Sequence, residues 1–204
     1  MSELDKALAD IVAIRTQMAR GTAFRGYGPA ALVTTGGLAL VTATAQTLWL
    51  DDPTAQPLAF LAGWIATAIC AVGLIGAEML ARARRHHSGL ADAMIHNAVE
   101  QFLPAGAAGG LLALVLLHVA PESLWLLPGL WQILVSLGLF ASARSLPRGV
   151  ALAGAWYLVA GLGALTYAST FHALSPWAMG LPFAIGQTLM AIVLHRASGD
   201  GDDA

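Results

Sequence analysis

Residues 58–85 read LAFLAGWIATAICAVGLIGAEMLARARR. The first part of this stretch, 58–77, carries no charge. A helix needs roughly 20 apolar residues to cross the hydrocarbon core of a bilayer, so this run is long enough to span it. Its apolar residues fall on both parities. That excludes the alternating pattern of a membrane β-strand, the only other spanning solution. Arg82, Arg84 and Arg85 follow at once. An apolar run closed by arginines is a membrane helix whose basic end is held on one side.

The rest of the chain repeats the pattern. Of its 204 residues 57% are hydrophobic and 11% charged. Soluble domains carry about 25% charged residues. With a mean hydropathy of +0.70 the chain cannot cover a water-facing surface, so the bilayer is its solvent. Six runs qualify as spans, at about 29–50, 58–77, 102–120, 124–143, 150–169 and 177–194. The connections between spans hold turn residues and no room for a soluble domain.

Charge fixes the expected orientation. Lys6, Arg15, Arg20 and Arg25 precede the first run, and Arg82, Arg84 and Arg85 follow the second. Arg144 and Arg148 follow the fourth, and Arg196 the sixth. All ten basic residues thus fall on one side, while the other carries Asp51, Asp52 and Glu122. The positive-inside rule then predicts that both termini are cytoplasmic. One Lys against nine Arg points to a GC-rich bacterial genome, hence to a bacterial inner membrane.

Ahead of the spans, Leu4, Leu8, Ile11, Ile14 and Met18 recur at helical spacing. Residues 1–28 therefore read as a cytoplasmic amphipathic helix lying in the interface. Residues 29–196 form the six-helix transmembrane domain, and 197–204 read as a small, acidic, disordered tail. The expected fold is an all-α integral membrane protein, N-in and C-in, with lipid as its first partner.

Chemistry is sparse. HExxH, P-loop, GxSxG and dinucleotide-binding fingerprints are all missing from the sequence. Cys70 stands alone in an apolar run and reads as a small core residue. Enzymatic activity is left open, with the balance against it, and no cofactor or nucleic-acid partner is expected. The densest polar stretch is 82–101. There Asp92, His96 and Glu100 recur every four residues and share one helical face. With His86 or His87 they make a candidate N/O metal set, or a proton relay through His96. The competing reading is a solvated helix face just below the membrane. His118 with His172, and His96 with His195, fall at matching depths and give a further haem-type alternative.

Inside the spans Thr35, Thr42, Gln46, Glu78, Gln132 and Gln187 are candidates for a polar pathway or for interhelical bonds. Gly36–Gly37, Gly73–Gly76, Gly106–Gly110 and Gly161–Gly163 mark expected close helix contacts. Pro182 and Gly186 beside Gln187 predict a broken sixth helix. The leading functional expectation is a non-enzymatic regulatory or accessory membrane subunit. It would act through its cytoplasmic face on a protein partner or a second copy. The alternative is a small-solute or proton-linked transporter, and after it a metal- or haem-binding membrane protein.

Overall fold

The computed structural model describes residues 28–85, 91–142 and 149–199; of their side chains it describes 28–81, 100, 103–142 and 149–197. The expected interfacial helix at 1–28 falls outside these residues apart from Gly28. Every regular element among the described residues is helical: α1 Pro29–Trp49, α2 Pro57–Arg85, α3 Ala91–Val119, α4 Leu127–Ser142, α5 Val150–Phe171 and α6 Pro176–Gly199. A 3-10 turn, Pro121–Leu126, leads into α4. Among the described residues five stretches are long and apolar enough to cross a membrane: α1, α2 as far as Ala81, the 3-10 turn with α4, α5, and α6 as far as Ala197. The described apolar part of α3, Leu103–Val119, is shorter.

Local chemistry explains the boundaries. Proline stands at the first turn of α1, where its missing N–H would have had no partner. Four of the five threonines of α1 return their hydroxyls to their own helix; Thr34, for example, donates to the Ala30 carbonyl at 2.9 Å and Thr44 to Leu40 at 2.8 Å. In lipid this satisfies a polar group that water would otherwise take. The 3-10 turn before α4 follows from Pro128, which has no N–H to give the Leu124 carbonyl. That carbonyl accepts from Leu127 N–H instead, a tighter i+3 bond. α5 stops at His172, the only described non-glycine residue at positive φ (49°), whose N–H reaches the Ala168 carbonyl at 2.7 Å. Its ring meets Trp125 edge-on at 4.8 Å, and Thr54 Oγ1 accepts the Leu174 N–H at 3.0 Å. Three connections are thereby tied together at the acidic end.

The expected break in the sixth span does not occur. α6 runs through Pro182 and on to Gly199, beyond the expected end at 194. Proline there frees the Ala178 carbonyl, because residue 182 has no N–H to return. Gln132 Nε2 of α4 donates to that carbonyl at 2.7 Å. A neighbouring side chain thus replaces the missing backbone donor and the helix stays whole.

The most extensive pairings are α1 with α6 and α4 with α5. Buried apolar side chains among the described residues form two clusters. One lies toward the acidic end around Phe60, Trp64, Leu127 and Met179. The other lies toward the arginine end around Leu139, Val150, Tyr157 and Met190. α2 buries one stripe, Phe60, Trp64, Thr67 and Ala71, and turns Ile65, Ile69 and Val72 outward. Large apolar side chains are exposed on every helix, as expected where lipid is the surrounding medium. Cys70 is exposed, which corrects its reading as a core residue.

Glycines carry the closest approaches, but only two of the eight expected do so. Gly36 packs on Ala184 and Gln187 of α6, and Gly161 meets Gly129 of α4. Gly37, Gly73, Gly76, Gly106, Gly110 and Gly163 face open space. On α3 the contact glycine is Gly109, whose carbonyl accepts from Trp131 Nε1 at 3.0 Å. The GxxxG spacing is one residue out of phase with the stripe that packs.

Candidate functional site

The arginine-rich stretch closes one long helix and opens another. α2 and α3 have 29 residues each, and α2 ends at Arg85. At 1.5 Å per residue each is about 43 Å long, against about 30 Å of hydrocarbon core. Asp92, His96 and Glu100 all lie on the α3 backbone, at positions one turn apart. Glu100 is exposed; the side chains of Asp92 and His96, and the whole of His86 and His87, lie outside the described residues. Among the described residues no three His, Cys, Asp or Glu side chains converge as a metal site. His118 and His172 are both exposed. His118 Nδ1 lies 2.9 Å from the Leu114 carbonyl, which can only accept, so that nitrogen carries the proton. His195 is exposed near the end of α6.

The polar residues within the spans are mostly brought into contacts between helices. Thr42 on α1 and Thr67 on α2 lie 2.6 Å apart. Thr67 already donates to the Gly63 carbonyl at 2.8 Å, so Thr42 is the donor of that pair. One turn on, Gln46 Nε2 donates to the Phe60 carbonyl at 2.8 Å. Gln132 donates to Pro128 and Ala178. Thr35 is buried and bonds its own helix at the Leu32 carbonyl. Gln187 lies against Gly36 and beside the Tyr157 hydroxyl. Glu78 is half-buried toward the arginine end of α2 and has a partner.

Several members of this network were not among the sequence candidates. Ser136 is fully buried and donates across to the Gly154 carbonyl at 2.8 Å. Trp156 donates to Pro182 at 2.9 Å and Tyr157 to Phe183 at 3.3 Å. The Gln132–Ser136 spacing of four residues was the available signal, since it puts both on one face of α4. Among the described residues four buried polar atoms have no partner: Gln46 Oε1, Trp64 Nε1, Gln132 Oε1 and Gln187 Oε1. An orphaned buried polar group costs about 1–3 kcal/mol.

Compared with protein families, curated proteins and solved structures, the chain gives no match.

Proposed function

We propose that this protein is an accessory or regulatory subunit of a bacterial inner membrane. It spans the bilayer six times with both termini cytoplasmic and acts through its cytoplasmic face on a protein partner or a second copy. The observation that supports this reading is the length of α2 and α3. Each exceeds the hydrocarbon core by about 13 Å. The excess carries Arg82, Arg84 and Arg85 on one helix and Asp92, His96 and Glu100 on the other. Charged helix ends that lie beyond the hydrocarbon core are within reach of a protein partner, whereas the packed interior holds mutual contacts.

The topology has a direct check. In a C70A background, Ser123→Cys reacts with a membrane-impermeant maleimide from the outside of intact cells. Ser88→Cys, three residues before α3 in the sequence, reacts only after permeabilisation. Labelling of both from the same side would remove α3 from the spans. For the function, native mass spectrometry after mild extraction is expected to find a discrete homo-oligomer or an added subunit. Arg84→Glu with Arg85→Glu should dissociate it. A bare monomer under the same extraction would remove the accessory reading.

A small-solute pathway is the second reading, favoured by the unpartnered Gln187 amide oxygen near the middle of α6. Solute flux into proteoliposomes, lost in Gln187→Leu, would replace the first reading with this one.

A further inference from the structure

A groove of about 270 Å³ opens between α1 and α6. Gly36 brings its walls together. With no side chain it lets α1 sit directly on α6, where a Cβ would stand 3.3 Å from the Ala184 carbonyl oxygen. Leu40, one turn on from Gly36, forms one wall, and Leu181, Ala184, Ile185, Thr188 and Leu189 form the other. Leu181 and Thr188 are exposed, so the groove faces the lipid. Thr188 returns its hydroxyl to the Ala184 carbonyl at 2.8 Å, which leaves the walls apolar. From Leu181 to Leu189 the groove follows α6 for about 12 Å.

α6 continues as one helix beyond the groove, to Gly199. Arg196 stands seven residues after Leu189 and eleven after Ile185. Those separations are about two and three helical turns, so Arg196 shares the face of both. His195 stands in the same way seven residues after Thr188. Both side chains are exposed, at the arginine end of the apolar span. The axial distance from Arg196 down to Ile185 is about 16 Å. One leaflet of the hydrocarbon core is about 15 Å deep. A lipid chain anchored at Arg196 therefore ends in the groove.

We propose that this face holds an anionic phospholipid, with its phosphate against Arg196 and His195 and one acyl chain laid along α6 into the groove. The guanidinium complements an anionic headgroup in charge and presents N–H donors in a plane that matches phosphate oxygens. The groove side chains offer no free hydrogen-bonding group, so methylene fits there and a polar solute does not. The site uses none of the α2 and α3 residues behind the accessory reading, and it stands or falls without that reading.

The test uses the intact protein in mild detergent, exchanged into equal amounts of phosphatidylglycerol and phosphatidylcholine with identical chains. Native mass spectrometry then reads the lipid that each chain retains. Phosphatidylglycerol should be retained, one per chain, over phosphatidylcholine by about fivefold, the factor that one cation beside an anionic headgroup supplies. Arg196→Gln should abolish the preference and Arg196→Lys should restore most of it. Thr188→Trp, which fills the groove from an exposed position, should lower the retention of both lipids. Both positions are exposed, so the unfolding midpoints should stay within about 2 °C of the wild type, which separates a lost site from a lost fold. Equal retention of the two headgroups by the wild type overturns the proposal. The same result follows if Asp200, Asp202 and Asp203, next in the sequence, neutralise Arg196. A preference that survives Arg196→Gln, or retention untouched by Thr188→Trp, overturns it as well.

Discussion

Gly161→Ala is expected to lower the unfolding midpoint by roughly 4–10 °C, from about 1–3 kcal/mol of overpacking. A Cβ at Gly161 would stand 2.8 Å from the Gly129 carbonyl oxygen and 2.9 Å from Ile133 Cγ1. A Cβ at Gly129 would meet the Gly161 carbonyl oxygen at 2.8 Å in return. The contact is reciprocal and on each side one partner is a backbone carbonyl oxygen, so side-chain rotation alone does not relieve it. The α4–α5 crossing must open as a whole. In lipid there is little hydrophobic gain in bringing helices together, so nothing replaces the dispersion attraction that separation weakens. Gly163→Ala is the control on the same helix. It has nothing within 4 Å and trades a poor helix former for the best one. Thermal unfolding in one detergent should show G161A well below the wild type and G163A level with it or above. Equal midpoints for the two would show that the crossing does not depend on backbone approach.

Gln132→Leu is expected to cost about 1–2 kcal/mol more in the wild-type background than in P182A. The reason is the Ala178 carbonyl. Pro182 gives it no N–H, and Gln132 Nε2 supplies the bond at 2.7 Å. Leucine fills the space and leaves that carbonyl buried without a donor. Pro182→Ala restores the helix's own donor, so the same substitution then loses little. The unpartnered Gln132 Oε1 disappears in both backgrounds and cancels from the difference. A double-mutant cycle on the unfolding midpoints isolates this term. Additive effects of Q132L and P182A would show that the glutamine is not acting as the proline's missing donor.

The two substitutions mark where the sequence could be read and where it could not. Pro182, Gly186 and Gln187 lie together in the chain, and proline's lost N–H is a local fact, so a broken helix was the natural expectation. The remedy sits in α4, about fifty residues away, and no local pattern points to it. Gly161 was legible as a small residue in a span, but its partner Gly129 was not. Gly106 and Gly110 carry the familiar spacing yet face open space, because α3 is rotated so that Gly109 meets Trp131. The polar residues followed the same rule. Their presence inside the spans was plain, and their pairing depended on which helix face met which.

What the sequence determined by itself is the set of long apolar helices. It follows from the bilayer acting as solvent: length and composition decide which runs leave water, and backbone bonding within each run makes it a helix. The tertiary structure decided the neighbours, α1 on α6 and α4 on α5, and with them the uses of Gln46, Gln132 and Ser136. Once all helices are apolar, burial no longer distinguishes one face from another. The choice falls to fit, to small residues that admit a backbone, and to polar atoms that must find a partner in a neighbouring helix.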